Sequence, residues 1–308
     1  MKKIVLVSVL TFCLLFVSLF AWSSYRISSR EVYTGQQLAT EGRFVKVGDV
    51  NTHYIRKGKG KSLVLIHGIF SSAFVWHKNI DELSRHFDVI AVDLKGYGYS
   101  DKPADGRYSR EDIRQFMIDF MDTINVEKAI VGGHSWGGGI AMDLASTCPQ
   151  RVEKLVLIDS TGYPLKHNFL SWLLKLPGMG KFLLALCDKD TLEWILKKGV
   201  FFEPSLVIEK EIEGWVRPYY VKGSVQAAIE LRSFDFVIGK NIKDISCPVL
   251  IIWGQDDKCL PVKFAERFKQ DIKDSALKII PNCGHNPQEE KPKEVNELIR
   301  HFAEGNSF

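Results

Sequence analysis

Short runs of consecutive apolar residues recur along the chain, and most of them end at a glycine, histidine or aspartate. Runs of this kind, without polar alternation, are typical of strands that are buried on both faces of a parallel sheet. Two further segments, 44–47 and 52–55, predict a hairpin that precedes these strands. The predicted buried strands are 63–66, 89–92, 129–131, 155–158, 249–252 and 277–280.

Segments with helical periodicity lie between the predicted strands. Ser109, followed by Asp112, has the spacing of a capping box at the start of one such helix. Strands that alternate with helices predict an α/β fold with right-handed crossovers. The alternation stops between 163 and 245, where amphipathic, aromatic-rich patches predict an inserted helical lid. We therefore expect a core of 41–162 and 246–308 and a lid of 163–245.

The first thirty residues have a different pattern from the rest of the chain. Lys2 and Lys3 precede an uncharged apolar stretch from 4 to 22, which as a helix would be about 28 Å long. We expect residues 1–30 to form an N-terminal transmembrane anchor, with the rest of the chain outside the cytoplasmic membrane. The alternative is a signal peptide that is cleaved to release a secreted protein, because 21–23 is a poor but possible cleavage site.

The composition narrows the class of protein. The 308 residues are 45% hydrophobic and 25% charged, which excludes a disordered, collagen-like or multi-span membrane protein. A formal net charge of +4 does not indicate a nucleic-acid partner. The six cysteines show no CxxC pair, so neither a zinc site nor a disulfide framework is predicted. Whether Cys259 and Cys283 pair is left open, since the fold would bring their loops together.

The sequence Gly-His-Ser-Trp-Gly at 133–137 follows a predicted strand and opens a predicted helix. This is the setting of a nucleophile elbow, in which the serine lies at a strained turn and its hydroxyl projects above the sheet. We therefore predict Ser135 as a nucleophile. The backbone N–H of Trp136, at the helix N-terminus, is placed to stabilise a developing oxyanion.

A serine nucleophile needs a base and an acid that orients the base. His285 follows the last predicted strand, and Asp257 follows the strand before it. These positions have the order serine, acid, histidine that such enzymes show. We predict Asp257 as the acid, with its neighbour Asp256 as the first alternative and Asp159, at the end of an earlier strand, as the second.

With these motifs in order, the chain resembles the α/β-hydrolase superfamily over about residues 41–306. Asp-Leu-Lys-Gly-Tyr-Gly-Tyr-Ser at 93–100 is similar to the structural D-x-x-G-x-G-x-S turn of that superfamily. The resemblance implies a mostly parallel eight-stranded sheet flanked by helices, with an inserted lid and no metal or organic cofactor. It also implies that the loop after 63–66 supplies a second oxyanion donor, the N–H of Ile69, while His67 braces that loop.

The motifs also bear on the substrate. The elbow resembles that of haloalkane dehalogenases and epoxide hydrolases, but those enzymes have aspartate where this chain has Ser135, so we set their activities aside. The chain lacks the H-G-G-P-G run of proline iminopeptidases and the G-N-S-M-G elbow frequent in carbon–carbon bond hydrolases. It looks most like membrane-tethered monoacylglycerol lipases and related carboxylesterases.

This resemblance implies hydrolysis of carboxylic esters from hydrophobic or lipid-like molecules, through an acyl-enzyme. The expected partners are a small-molecule or lipid ester and, through the N-terminal helix, a membrane. An amidase or peptidase, a carbon–carbon bond hydrolase and a non-catalytic ligand receptor stay open as alternatives. The expected pocket residues are Phe70, His134, Phe169, Trp172, Leu173 and Leu176.

Overall fold

The structure is a computed structural model and describes residues 2–164, 178–231 and 239–305. Within these ranges, eight strands form one sheet with the order β1-β2-β4-β3-β5-β6-β7-β8. β1 and β2 form the antiparallel hairpin, β2 pairs antiparallel with β4, and the remaining pairs are parallel. The prediction of a mostly parallel eight-stranded sheet is therefore confirmed. The strands are β1 Arg43–Val47, β2 Val50–Lys57, β3 Ser62–Ile66, β4 Asp88–Val92, β5 Ala129–His134, β6 Val152–Ile158, β7 Val249–Gly254 and β8 Ser275–Ile280.

Helices cover both faces of the central strands, as the continuous apolar runs predict. The prediction of a buried strand at 277–280 is wrong, because β8 lies at the outer end of the strand order and only Ile280 in it is buried. In β3, Val64 and Ile66 belong to the hydrophobic cluster on one face, whereas Leu63 and Leu65 belong to the cluster on the other. All four side chains are fully buried. The helices of the core are α3 Ile80–Leu83, α4 Arg110–Thr123, α5 Trp136–Thr147, α10 Lys263–Asp271, α11 Pro287–Glu290 and α12 Pro292–Glu304.

The start of α4 shows how local sequence determines a helix end. The Ser109 hydroxyl accepts a hydrogen bond from the Asp112 N–H at 3.1 Å, and the Asp112 carboxylate accepts one from the Ser109 N–H at 2.9 Å. These reciprocal bonds form the predicted capping box. From there, the apolar face of α4 packs into the larger of the two clusters through Ile113, Phe116, Met117 and Phe120.

Between β6 and β7, the described residues form a group of helices that we call the cap. Its helices are α6 Met179–Leu186, α7 Lys189–Ile195, α8 Glu209–Val216 and α9 Ser224–Leu231. The cap has a small buried cluster of its own, separate from the clusters of the sheet. That cluster contains Leu192, Leu196, Phe201, Val207, Ile212 and Val216.

The N-terminal segment forms helix α1, Lys2–Arg30, followed by the short helix α2, Gly35–Leu38. The end of α1 contacts the cap, since the Arg30 guanidinium donates to the backbone carbonyls of Cys187 at 2.6 Å and Leu184 at 3.3 Å. Among the residues that the structure describes, no helix combines the length and the apolarity needed to span a bilayer. The structure therefore supports a helix in this segment but does not support the transmembrane anchor predicted for residues 1–30.

Candidate active site

Ser135 lies at the sharp turn between β5 and α5. Its backbone has φ 52° and ψ −118°, a region that side-chain-bearing residues rarely adopt. The turn closes because glycines flank it: a Cβ at Gly133 would lie 2.3 Å from the Gly137 carbonyl oxygen, and one at Gly137 would lie 2.4 Å from the His67 carbonyl oxygen. The strand, turn and helix thus hold the serine in a strained conformation at the edge of the sheet.

His285 and Asp257 come from the loops that follow β8 and β7. The distance from Ser135 Oγ to His285 Nε2 is 3.0 Å, and the distance from His285 Nδ1 to Asp257 Oδ2 is 2.7 Å. An ionised carboxylate only accepts hydrogen bonds, so Nδ1 carries the proton and Nε2 is left to accept from the serine hydroxyl. The structure therefore brings the three predicted triad residues together in one hydrogen-bonded chain.

The acid is itself held in place by its own loop. Asp257 Oδ1 accepts hydrogen bonds from the backbone N–H groups of Cys259 at 2.7 Å and Leu260 at 2.9 Å. These bonds fix the carboxylate so that its other oxygen faces His285, and the side chain has no solvent exposure.

Neither alternative acid takes this position. The N–H of Asp256 donates to the Cys283 carbonyl at 2.9 Å. Asp159 is fully buried at the end of β6, where its Oδ1 accepts from the Gly254 N–H at 2.9 Å. Burial, followed by the nearby Asp257 carboxylate, raises the pKa of Asp159 well above its usual range. A neutral Asp159 would not compete with Asp257 for the charge that develops on the imidazole.

The loop that carries His285 is tied to the cap. The His285 N–H donates to the Val200 carbonyl at 2.8 Å. Glu290 reinforces this contact, because its carboxylate accepts from the N–H groups of Gly284 at 2.9 Å and Phe202 at 2.8 Å. The sequence analysis missed Glu290, since a glutamate shortly after the histidine has no motif that distinguishes it from a surface residue.

The loop predicted to hold the second oxyanion donor lies against the nucleophile. A Cβ at Gly68 would be 3.1 Å from the Cβ of Ser135, so the chain at Ile69 passes close to the serine. His67 braces this loop, as expected: its Nδ1 donates to the Gly68 carbonyl at 2.7 Å, and its Nε2 accepts from the Leu94 N–H at 3.2 Å. Trp136, the other expected donor, is the first residue of α5.

Tyr219 connects the cap to this same loop, and sequence analysis did not identify it. Its hydroxyl donates to the Phe70 carbonyl at 2.6 Å. Phe70 has a positive φ of 56°, which residues with side chains rarely adopt, and the residue is 36% exposed. Beside it, Tyr97 and Trp215 help to line a cavity of about 20 Å³ between the loop and the cap.

The other predicted pocket residues have different outcomes. His134 is only 2% exposed, and its Nε2 donates to the His285 carbonyl at 2.7 Å. The structure therefore does not support a contact between His134 and substrate, because the side chain instead holds the backbone of the candidate base. The remaining predictions lie outside the described residues: Phe169, Trp172, Leu173 and Leu176.

The two cysteines whose pairing was left open are both free thiols. Cys283 is buried, whereas Cys259 is exposed at the rim of the site. Although the residue as a whole is exposed, desolvation of its sulfur by the surrounding protein, with a smaller contribution from the Asp257 carboxylate, raises the pKa of the Cys259 thiol to about 12. The thiol is therefore protonated at neutral pH and is a poor nucleophile.

Comparison with known proteins agrees with this architecture. The sequence profile of the alpha/beta hydrolase fold family matches residues 61–292. The uncharacterized hydrolase YugF of Bacillus subtilis is 30% identical over 256 residues, which are 81% of this chain and 92% of that protein. The 2-hydroxy-6-oxo-6-(2'-aminophenyl)hexa-2,4-dienoic acid hydrolase of Metapseudomonas resinovorans is 29% identical over 82% of this chain and 87% of its own length.

A solved structure shows the same likeness in three dimensions. The CarC enzyme, described as a serine hydrolase involved in carbazole degradation, superposes with a TM-score of 0.73 at 27% identity. The superposition covers 86% of this chain and 99% of that one. Taken with the sheet, the elbow and the match over residues 61–292, these findings show that the chain is a hydrolase of the α/β-hydrolase fold family.

Proposed function

We propose that this protein is a serine hydrolase that cleaves carboxylic esters of hydrophobic or lipid-like molecules. The observation that carries the proposal is the hydrogen-bonded chain from Ser135 through His285 to Asp257, with the serine in a strained turn. A serine hydroxyl is a weak nucleophile unless an adjacent base removes its proton. Here the base lies within hydrogen-bond distance, and its tautomer leaves Nε2 able to accept that proton.

The reaction would follow from this arrangement in two halves. The ester carbonyl would bind with its oxygen near the backbone N–H groups of Ile69 and Trp136, which would stabilise the negative charge of the tetrahedral intermediate. Ser135 would attack the carbonyl carbon while His285 takes the hydroxyl proton and then delivers it to the leaving alcohol. Water, activated by His285, would then hydrolyse the acyl-enzyme and restore the serine.

The surface of the cap supports an apolar substrate. It exposes several large hydrophobic side chains, of which Trp194 is 64% exposed and Phe202, whose N–H is bonded to Glu290, is 38% exposed. Exposed apolar side chains that lie together often mark binding surfaces. The other exposed members are Leu186, Ile195 and Ile208. A position next to a membrane, as expected from the first thirty residues, stays a prediction.

A carbon–carbon bond hydrolase is the second candidate. It is favoured by the similarity to the dienoic acid hydrolase of Metapseudomonas resinovorans, which extends over 82% of this chain. An amidase has less support, because two of the cap carboxylates that could bind an amine, those of Glu209 and Glu213, both contact the Lys189 ammonium group.

Hydrolysis of nitrophenyl esters with acyl chains from acetate to palmitate tests the proposal on the full-length protein. We expect turnover by the wild type, a preference for medium or long chains, and no turnover above background by Ser135→Ala. Each buried methylene would contribute about 0.8 kcal/mol, so the rate constant kcat/KM should rise with chain length until the pocket is filled. Cys148→Ser is the matched control, since this thiol lies at the far end of α5.

The outcomes separate the candidates. Turnover of a vinylogous diketone acid at a rate well above that of every ester would favour carbon–carbon bond cleavage over ester hydrolysis. Labelling of Ser135 by a fluorophosphonate without turnover of any of these substrates would show a competent nucleophile with another substrate class. Absence of both from the folded wild type would contradict the serine-hydrolase mechanism and favour a ligand receptor.

A further inference from the structure

Three different metal-ligand groups lie close together, and two of them belong to the candidate triad. A carboxylate oxygen of Asp257, the sulfur of Cys259 and a ring nitrogen of His285 all lie within 4.8 Å of one another. Oxygen, thiolate sulfur and imidazole nitrogen are the three kinds of ligand that zinc binds in proteins. Two of the groups come from the loop after β7 and one from the loop after β8, so adjacent parallel strands bring them together.

The spacing is close to that of a tetrahedral site. With zinc–sulfur bonds of about 2.3 Å and zinc–nitrogen bonds of about 2.0 Å, neighbouring ligands would be roughly 3.3–3.6 Å apart. With all three atoms within 4.8 Å of one another, the widest separation therefore needs to contract by at most about 1.2–1.5 Å. The 2.7 Å contact between His285 Nδ1 and Asp257 Oδ2 needs to open slightly, as expected when a cation replaces the shared proton.

The three residues differ in solvent exposure, and Cys259 is the one that solvent reaches most easily. Asp257 has a fully buried side chain and that of His285 is 10% exposed. Cys259 is exposed and is not in a disulfide, and its thiol donates a hydrogen bond to the Gly199 carbonyl at 3.5 Å that coordination of a cation would replace. A cation arriving from solvent would meet the sulfur first and then reach the nitrogen and the oxygen.

We propose that Asp257, Cys259 and His285 form an inhibitory site for a thiophilic divalent cation such as Zn²⁺ or Cd²⁺. On binding, the Cys259 thiol releases its proton to solvent and coordinates as a thiolate. His285 coordinates through Nδ1, and the imidazole proton moves from Nδ1 to Nε2. One proton is released for each cation bound, and Asp257 coordinates through a carboxylate oxygen.

The consequence for catalysis follows from the tautomer. With the proton on Nε2, His285 can no longer accept the proton of Ser135, so the nucleophile is not activated. This effect rests on the proposed serine-hydrolase mechanism, whereas binding of the cation to the three groups does not. The proposal therefore has a binding part and an inhibition part, which separate experiments can test.

Inhibition is tested with the full-length protein and Zn²⁺ or Cd²⁺ alone, using ester hydrolysis and the rate of fluorophosphonate labelling of Ser135. Cys259→Ser keeps the backbone N–H that holds Asp257, and half-inhibition is measured relative to the rate of each variant without added cation. We expect the cation concentration for half-inhibition to rise at least about tenfold in Cys259→Ser, since even outer-shell partners of a metal contribute 10- to 100-fold to affinity. Cys148→Ser should respond as the wild type does, and the chelator EDTA should restore activity.

Binding is tested without any substrate, through the ultraviolet charge-transfer absorbance of a cadmium–thiolate bond. We expect saturable absorbance with one Cd²⁺ per chain in the wild type and Cys148→Ser, its loss in Cys259→Ser, and weaker binding in Asp257→Asn. This result would stand even if no ester were hydrolysed, so failure of the proposed function would be distinguishable. Unchanged absorbance in Cys259→Ser, or equal inhibition of Cys259→Ser and the wild type, would overturn the proposal.

Discussion

The edge of the sheet and the cap contribute to the candidate site in different ways. Ser135, Asp257 and His285 follow β5, β7 and β8, and the side chains of the first two of these strands are entirely buried. The cap reaches the site mainly through hydrogen bonds that involve backbone groups, such as the bond between His285 N–H and the Val200 carbonyl. The reacting groups are thus placed by packed strands. The cap adds polar contacts to their loops, and Ala227 and Leu231 of its last helix pack into the core cluster.

This difference indicates that the strand ends determine the chemical step, whereas the cap determines which substrates reach the nucleophile. A packed parallel sheet holds its strand ends rigidly, because any displacement would open gaps in both hydrophobic clusters. The parts of the cap that reach the site through individual hydrogen bonds can vary in sequence without moving the nucleophile. We therefore expect substitutions at the sheet edge to lower the rate of the chemical step, and substitutions in the cap to change substrate preference and the coupling between cap and loop.

Among these predictions, the largest loss of activity is expected when the acid of the candidate triad, Asp257, is replaced. Asp257→Asn removes the group that fixes the His285 tautomer, and we expect kcat for ester hydrolysis to fall about ten-thousandfold, as in other triads. Asp256→Asn is the matched control one residue away, and its kcat should stay near that of the wild type. Steady-state kinetics of the two variants provide the measurement. Equal losses in both would mean that the loop as a whole, and not the Asp257 carboxylate, supports catalysis.

The next prediction concerns the close packing of the nucleophile elbow around Gly137 and its contribution to stability. Gly137→Ala places a Cβ 2.4 Å from the His67 carbonyl oxygen and 2.5 Å from the Ile66 carbonyl oxygen, so backbone has to move. We expect the free energy of unfolding to fall by about 1–3 kcal/mol, measured by urea denaturation. Gly199→Ala in the cap is the comparison, because a Cβ there meets nothing within 4 Å. Similar stability of the two variants would contradict the contrast between sheet edge and cap.

Glu289 is a buried carboxyl where the cap meets the core, and it makes the free energy of unfolding depend on pH. Glu289 is 1% exposed and accepts a hydrogen bond from Trp215 Nε1 in the cap at 3.3 Å. Burial raises its pKa from 4.5 to about 8, despite the favourable charge of Lys78, while Glu211 adds to the rise. Between these values the folded state keeps a proton that the unfolded state has lost. The free energy of unfolding therefore decreases as the pH rises through this range.

Glu289→Gln retains a neutral side chain of the same shape and removes the titration. We expect the wild type to lose at most about 1.4 kcal/mol per pH unit more than this variant between the two pKa values, and no further difference above the higher one. Urea denaturation of both proteins across this range gives the difference. A constant difference at all pH values would mean that Glu289 is not neutral in the folded protein.

What could be predicted from the sequence also differs between the strand ends and the cap. The buried strands, the elbow and the capping box at Ser109 depend on neighbouring residues, so their patterns are visible in the chain. Asp257 could be chosen because it follows a buried strand and lies between the nucleophile and the histidine in chain order. The bonds from Tyr219 to Phe70 and from Phe202 to Glu290 join residues 149 and 88 positions apart, and no local pattern indicates them. The environment of His134 was likewise missed, because only the folded chain brings it beneath His285.

The smallest loss of activity is expected when the cap loses its hydrogen bond to the loop predicted to hold the second oxyanion donor. Tyr219→Phe removes the hydroxyl that donates to the Phe70 carbonyl at 2.6 Å and leaves the ring in place. A hydrogen bond of this kind contributes about 0.5–1.5 kcal/mol, so we expect kcat/KM for a long-chain ester to fall by no more than about tenfold. Because the bond positions the loop and does not touch the reacting atoms, fluorophosphonate labelling of Ser135 should still go to completion. Tyr220→Phe, one residue further along the cap, serves as the control and should retain the wild-type kcat/KM. Complete loss of labelling in Tyr219→Phe would show that the cap takes part in building the oxyanion site, and the division between sheet edge and cap would then not hold at this loop.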